Sequence, residues 1–186
     1  MLAARRQLLR HFLLHHEPFD AQEWQHRTAI LRLLDGDGDP FSRVHFDPGH
    51  VTASAFVLSP DRQSLLLIFH SKLQRWLQPG GHVDPDDPDI VAAARREVKE
   101  EVGLHDLPIL PEFFGVFDVD VHEIPARKND PQHKHYDVRF AMQAPSLDFQ
   151  AGSDAHAGRW VRLQDVSELE SDASVLRAVN KLRKRL

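Results

Sequence analysis

The sequence predicts an α/β fold, an α/β/α sandwich with a sheet between helical layers, preceded by an N-terminal helical extension. Three observations predict it. Apolar residues recur at helical spacing in the first 35 residues, segments after residue 50 alternate between apolar and polar residues, and an acidic helical pattern lies between those segments. Strands and helices that alternate along a chain are typical of a sheet covered by helices.

The composition excludes several classes of protein. The 186 residues carry a formal net charge of −5 and include no cysteine, which excludes disulfide scaffolds, thiolate zinc sites and cysteine nucleophiles. The longest strictly apolar run, Leu65–Phe69, is too short to cross a membrane, and the slight acidity does not favour nucleic-acid binding. We therefore expect a cytoplasmic protein that binds neither membranes nor nucleic acids. The one unusual feature is the content of 13 histidines.

Residues 1–45 are predicted to form the helical extension and a linker, and residues 46–186 the main domain. A first helix is predicted over Met1–His16, and a second begins at the N-cap residue Asp20 and ends near Leu34. The apolar side of the second helix is predicted to contain Trp24, Ile30, Leu31 and Leu34.

The main domain opens with a predicted hairpin. Val51–Leu58 and Ser64–His70 have the pattern of strands, and the turn residues Ser59-Pro-Asp61 lie between them. Trp76–Gly81 is predicted to be a tight loop. Asp87-Pro88 is then predicted to open a helix, because Asp is a good cap and Pro suits the first helical position.

That helix is predicted to run to about Val102 and to stop at Gly103. Two further strands are predicted near Phe113–Ile124 and His133–Met142, and a last short strand near Trp160. A final helix is predicted over about Asp172–Arg185.

Three carboxylates share one face of the helix before Gly103. Glu97, Glu100 and Glu101 have the spacing i, i+3, i+4, so at about 100° per residue they lie within roughly 100° of one another. The neighbouring cations are predicted to point mostly elsewhere: Arg95, Arg96 and Lys99. A cluster of like charges costs stability unless something compensates it, and oxygen ligands suit Mg²⁺ or Mn²⁺. The spacing alone leaves a metal site and a solvated acidic face open.

The glycine pair before this helix favours a ligand site. Gly80-Gly81 permits positive φ and lets the backbone approach a ligand closely. A glycine loop followed by a helix N-terminus also favours phosphate oxygens.

The segment from Gly81 to Leu104 resembles the Nudix box, Gly-x5-Glu-x7-Arg-Glu-U-x-Glu-Glu-x-Gly-U, in which U is aliphatic. Its second half, Arg96–Leu104, matches at every fixed position. The first half departs, because Asp87 stands where the family has Glu, and eight residues instead of seven separate Asp87 from Arg96. An added residue at the helix entry, with Asp87 as cap, would restore the geometry. The departure lies outside the three glutamates.

The resemblance implies the Nudix α/β/α sandwich with a mixed β-sheet, and a hydrolase that cleaves a nucleoside diphosphate linked to another moiety by attack of water on phosphorus. In the family, glutamates at the positions of Glu97, Glu100 and Glu101 bind Mg²⁺ or Mn²⁺, often with the carbonyl at the position of Gly80. The arginine at the position of Arg96 usually orients a box carboxylate. The general base varies between members; it is a box glutamate or a later acid, and Asp154 is the candidate here.

A second polar group lies on the two strands after the box. Period-2 alternation places the polar residues of each strand on one face. We predict that these residues bind substrate together with Gly81 and His82: Asp120, His122, His133, His135, Asp137 and Arg139. Arg139 could grip a phosphate and the histidines could donate to it. A solvent-facing side of the sheet, or a transition-metal site made of His133, His135 and Asp137, stays open.

The expected partner is a small phosphorylated, nucleotide-like substrate, and the N-terminal helices could support a homodimer. The rival interpretation is a non-catalytic Nudix module that binds a nucleotide or a protein, although such modules usually lose the box glutamates. The sequence does not identify the substrate.

Overall fold

A computed structural model of the chain describes residues 1–113, 115–150 and 157–186. Helices α1 (Leu2–His15) and α2 (Ala21–Asp35) form the N-terminal extension, as predicted. The Asp20 carboxylate caps α2 by accepting a hydrogen bond from the Glu23 backbone N–H at 2.8 Å. The apolar side of α2 was predicted wrongly at Trp24, which is 56% exposed, whereas Ile30 is buried.

The described residues contain one mixed sheet of seven strands. They are β1 (Gly49–Leu58), β2 (Ser64–His70), β3 (Arg75–Leu77), β4 (Gly80–His82), β5 (Asp118–Ile124), β6 (His133–Gln143) and β7 (Gly158–Arg162). The order is β3-β2-β1-β6-β5, with β4 paired to β1 and β7 paired to β2. Only the β1–β6 pairing among these is parallel. The predicted hairpin is confirmed, since β1 and β2 are antiparallel neighbours.

Helices cover both faces of the sheet. Helix α3 (Ile90–Val102) packs its buried Ala93, Ala94 and Val98 in one apolar cluster with alternate residues of β1, including Ala53. Helix α4 (Ala173–Arg185) packs in a second cluster with the other β1 residues: Phe56 and Leu58. The period-2 alternation of β1 thus supplies both faces, which gives the predicted sandwich.

Three local predictions were wrong. The predicted loop at Trp76–Gly81 contains strands β3 and β4, because the backbone of this segment pairs with β2 and β1. The predicted strand start at Phe113 is a short 3₁₀ helix, and β5 begins only at Asp118. Asp89, not Asp87, caps α3, since its carboxylate accepts the backbone N–H groups of Val91 and Ala92 at 2.9 Å.

A buried network of ion pairs joins the N-terminal extension to the sheet and to α4. The Glu23 carboxylate of α2 accepts hydrogen bonds from Lys181 Nζ at 2.6 Å and from His16 Nε2 at 2.7 Å. Arg177 of α4 donates to Asp118 of β5 at 2.8 Å. These side chains are almost fully buried, so each charge depends on its partners.

The network fixes the charge of Glu23. Burial alone would raise the pKa of this carboxyl, but the hydrogen bonds from His16 and Lys181 and the Lys181 charge lower its pKa to about 2. The carboxylate therefore stays ionised in the folded protein across neutral and mildly acidic pH.

Among the described residues, no helix has both the length and the apolar character needed to span a membrane.

Glu23→Gln is expected to destabilise the fold strongly, because it leaves the buried Lys181 ammonium without its counter-charge. Breaking one partner of a buried pair costs about 3–5 kcal/mol of unfolding free energy. Urea denaturation at pH 7 measures it. The matched control is Asp35→Asn, which removes an exposed pair with Arg10 and should cost less than about 1 kcal/mol. Equal small losses in both variants would contradict the role of the network.

The pH dependence of stability should follow Glu23. Its folded pKa is below its unfolded value, so its stabilisation is present above about pH 4.5 and is lost as the pH falls towards 2. The difference in unfolding free energy between the wild type and Glu23→Gln should therefore be constant from pH 7 to 5 and shrink below that. Urea denaturation at each pH measures this difference in unfolding free energy. A difference that stays constant down to pH 2.5 would refute the role of Glu23 in the pH dependence.

Candidate active site

The carboxylates of α3 face strand β4. The backbone N–H of Gly80 donates to Glu101 Oε2 at 2.9 Å. A side chain added at Gly81 would meet the Glu97 carboxylate, with Cβ 2.7 Å from its Cδ. The two glycines thus let β4 lie directly against two of the three glutamates.

Gly80 is required on the other side of β4 as well. Its φ of +158° is one that side chains rarely adopt, and an added Cβ would collide with the Ser54 side chain and lie 2.6 Å from the Ser54 Cα. Successive residues of a strand point to opposite faces, so Gly80 and His82 face one side of β4 and Gly81 faces α3.

Arg96 is the centre of the carboxylate cluster. Its Nη1 donates to Glu97 Oε1 at 2.9 Å and to Glu100 Oε2 at 3.0 Å. Its Nε and Nη2 donate to Asp87, and Nη2 also donates to the His82 carbonyl at 2.8 Å. The prediction that the cations of α3 point away from the acids was therefore wrong for Arg96.

These contacts also show what Asp87 does at the position where the sequence departs from the box. Asp87 is buried, and its carboxylate accepts hydrogen bonds from Arg96 and from the Asp84 backbone N–H, the latter at 2.8 Å. Asp87 thus holds Arg96 in place, and the hydrogen bond to Asp87 raises the pKa of Arg96. The helix cap is supplied two residues later.

The glutamates differ in burial. The Glu97 side chain is 14% exposed and the Glu100 side chain 57%. Burial raises the pKa of Glu97, against the hydrogen bond and charge of Arg96. A partly buried carboxylate group with one shared cation offers hard oxygen atoms at the surface of α3, the donor set that Mg²⁺ and Mn²⁺ prefer.

The polar face of β5 and β6 divides into two parts. The inner part is buried: Asp137 accepts hydrogen bonds from Thr52, Ser54 and Arg139, the last at 2.8 Å. Arg139 is 2% exposed and also pairs with Asp118 at 3.1 Å and Asp120 at 3.5 Å. The predicted phosphate contact of Arg139 does not fit this placement, because three aspartates surround the guanidinium inside the protein.

The outer part is a group of five histidines, which we call the histidine cluster: His50, His82, His122, His133 and His135. Their ring centroids lie close to one another, with 4.8 Å between His50 and His135 and 5.2 Å between His82 and His135. The ring centroid of His122 lies 5.6 Å from that of His135, and its Nδ1 is hydrogen-bonded to the Asp120 carboxylate at 3.1 Å. The structure thus brings the four histidines predicted from the sequence together.

His50 was missed by the sequence analysis. It lies at the start of β1, one residue before the predicted strand, and pairs in register with His135 of β6. An alternating pattern extended by one residue, His50-x-Thr52-x-Ser54, would have placed it on the polar face.

Burial affects the histidines unequally. Burial and the charges of His82 and His133 lower the pKa of His50 to about 4. Burial and the neighbouring rings lower the pKa of His135 to about 2. Burial also lowers the pKa of His122, but the hydrogen bond to Asp120 and the charges of Asp137 and Asp120 together outweigh this and raise the pKa overall. His50 and His135 are therefore neutral near pH 7.

The predicted general base Asp154 lies outside the described residues, which resume at residue 157.

Comparisons with known proteins identify the family and the fold of this chain. The family model of the NUDIX domain matches residues 48–181. Solved structures that are similar to the chain include a C. elegans Ap4A hydrolase in a binary complex, at 21% identity and TM-score 0.54, covering 72% of this chain and 95% of that one. A NUDIX-family hydrolase from Clostridium perfringens matches at 20% identity and TM-score 0.56, and the match covers 73% of this chain and 97% of that one. The E. coli dihydroneopterin triphosphate pyrophosphohydrolase matches at 17% identity and TM-score 0.55, and the match covers 74% of this chain and 96% of that one. No curated protein sequence matches the chain.

The chain belongs to the Nudix family, since the family model matches well over half of it and the box glutamates lie on α3 against β4. As a member of this family it is a hydrolase that acts on phosphoanhydride bonds. The predicted Nudix sandwich with a mixed sheet and N-terminal helices is confirmed.

The two glycines of β4 should respond differently to a methyl group. Gly80→Ala is expected to cost about 1–3 kcal/mol of unfolding free energy or more, because its Cβ meets the Ser54 backbone. Gly81→Ala should cost less than about 1 kcal/mol, because its Cβ meets only the end of the flexible Glu97 side chain. Thermal and urea denaturation of both variants measure this, and the reverse order would contradict the position of β4.

Proposed function

We propose that this Nudix hydrolase cleaves a phosphoanhydride bond in a nucleoside diphosphate linked to another moiety, with Mg²⁺ or Mn²⁺ held by Glu97, Glu100, Glu101 and the Gly80 carbonyl. The single observation that carries the proposal is the group of three carboxylates on α3, held by Arg96 against the glycine strand β4. The donor set fits the ion, because all the candidate donors are oxygen atoms.

The bound cation would neutralise the diphosphate, orient it and lower the pKa of the attacking water. The chain's own residues hold the site ready. Arg96 keeps Glu97 and Glu100 within about 3 Å of one guanidinium nitrogen, and the Gly80 backbone N–H fixes Glu101. Gly81 leaves the space that the Glu97 carboxylate fills. A general base from this set, or Asp154, the candidate from the sequence, would take the proton of the attacking water.

We assign substrate contact to residues that keep part of their surface accessible. Gly81 faces the carboxylates, whereas His82, His122 and His135 lie on the other face of the sheet, and each keeps part of its surface exposed. Asp120, Asp137 and Arg139 are buried, and we assign them a positioning role behind those residues; His133 is also buried and packs against His135. Asp120 shows this role, since its carboxylate holds the His122 ring.

The substrate class draws support from the structural neighbours. The names of two of them describe hydrolysis of a dinucleoside polyphosphate and of dihydroneopterin triphosphate, which both carry phosphoanhydride bonds. Their identity to this chain is low, so the fold is shared and the choice among nucleotide-like substrates needs a screen. The cytoplasmic location and the homodimer stay predictions.

Glu101→Gln should lower turnover by about a hundredfold or more while the protein stays folded, because loss of even an outer partner of a metal site costs 10- to 100-fold. Phosphate release from a panel of nucleoside diphosphate derivatives, with Mg²⁺ or Mn²⁺, measures it. Glu168→Gln, an exposed glutamate far from β4 in sequence, is the control and should keep wild-type turnover.

Near-normal turnover in Glu101→Gln would refute the assignment of the site. Binding of nucleotides by the wild type without metal-dependent hydrolysis of any of them would favour the non-catalytic module.

A further inference from the structure

Three histidines meet at one end of the parallel pair of β1 and β6. The register places His50 opposite His135, and His133 lies two residues before His135 on the same face. One ring nitrogen from each of the three lies within 4.8 Å of the others. The group comes from two strands that the rest of the sheet fixes, so its arrangement does not depend on a loop.

His50 carries an unsatisfied nitrogen into this group. The side chain is 1% exposed, and its Nδ1 lies 3.3 Å from the His45 carbonyl oxygen. A carbonyl oxygen only accepts, so Nδ1 carries the proton and Nε2 of the neutral ring carries a lone pair. That Nε2 is buried and has no hydrogen-bond partner. A buried polar atom without a partner costs free energy and indicates a missing ligand or ion.

The ring of His133 is also oriented through its Nδ1. It is 7% exposed, and its Nδ1 lies 2.7 Å from the Pro131 carbonyl oxygen. Donation of one ring N–H to a backbone carbonyl is the usual way in which proteins orient a histidine whose other nitrogen binds a metal. Two of the three rings are therefore oriented by Nδ1, with Nε2 as the nitrogen on the side away from the backbone carbonyl.

We propose that His50, His133 and His135 bind a transition-metal ion of the zinc class, separate from the Mg²⁺ or Mn²⁺ of the box glutamates. Imidazole nitrogen suits Zn²⁺, Co²⁺ and Ni²⁺, whereas carboxylate oxygen suits Mg²⁺ and Mn²⁺. Nitrogens bound at about 2.0–2.1 Å to a tetrahedral ion lie roughly 3.3 Å apart. The ring nitrogens, which lie within 4.8 Å of one another, therefore have to approach by at most about 1.5 Å.

Strand β4 separates this site from the carboxylates. Gly81 of β4 faces Glu97, and the alternation turns the His82 side chain to the opposite side, 5.1 Å from the His50 ring. The His82 and His122 rings border the three ligands, with centroids 5.2 Å and 5.6 Å from that of His135. Asp137, the third ligand considered from the sequence, is instead occupied by Thr52, Ser54 and Arg139.

Co²⁺ binding tests the proposal without any activity assay. The full chain, made without a polyhistidine tag and stripped with a chelator, is titrated with Co²⁺ in excess Mg²⁺, and the visible absorption of tetrahedral Co²⁺ is followed. We expect one Co²⁺ per chain that Zn²⁺ displaces and Mg²⁺ does not.

The variants separate this site from the box. His133→Asn and His135→Asn should weaken Co²⁺ binding about a hundredfold or more, whereas His11→Asn, an exposed histidine of α1, and Glu101→Gln should leave it unchanged. His135→Asn keeps the test valid if the buried position 133 tolerates no change, since His135 is only half-buried. Circular dichroism establishes that each variant is folded.

Two results would overturn the proposal. The wild type gives no Co²⁺ absorption in excess Mg²⁺, or folded His133→Asn and His135→Asn bind Co²⁺ as the wild type does. The rings would then be a packing cluster around Phe46, whose ring centroid lies 5.0 Å from that of His133. Neither result affects the proposed hydrolysis, which rests on Glu97, Glu100 and Glu101.

Discussion

The close approach of strand β4 to both β1 and helix α3 is the constraint on which the site depends. Gly80 and Gly81 allow it, because a Cβ at either position would meet Ser54 on one side or Glu97 on the other. The approach brings a backbone N–H to Glu101 and a backbone carbonyl, that of His82, to Arg96. A strand of three residues therefore positions the carboxylates of α3 and, on its other face, the edge of the histidine cluster.

The buried charges extend this organisation through the molecule. Asp118, Asp120 and Asp137 surround Arg139 beneath α4, and Glu23 of the N-terminal extension holds Lys181. Burying so many charges costs solvation free energy that only mutual pairing offsets. The N-terminal helices are thus part of the same packed structure, and the buried ion pairs extend along the polar face of β5 and β6 to Asp120, which contacts His122 of the histidine cluster.

The sequence was most informative where a periodicity was long. The N-cap of α2, the strand patterns of β1 and β2 and the alternation on β5 and β6 predicted the sandwich, and the acidic spacing on α3 placed Glu97, Glu100 and Glu101 on one face. The sequence analysis was wrong where tertiary contacts determine the local structure. Trp76–Gly81 looks like a loop because glycine and proline dominate it, yet pairing with β1 and β2 makes two short strands.

The same reason explains the errors at single residues. Asp87 and Asp89 are both good caps, and the choice between them depends on Arg96, which binds Asp87 from nine positions along the chain. Arg139 reads as a phosphate ligand by its chemistry, but the three aspartates around it come from different strand positions that only the register brings together. His50 joined the cluster for the same reason, through the parallel pairing of β1 with β6.

The central claim, that the carboxylates of α3 hold a divalent cation, is tested most directly by electron paramagnetic resonance of Mn²⁺ titrated into the protein. The account predicts bound Mn²⁺ that Mg²⁺ displaces, with affinity strongly reduced in Glu97→Gln and unchanged in His135→Asn. Bound Mn²⁺ that is insensitive to Glu97→Gln would contradict it.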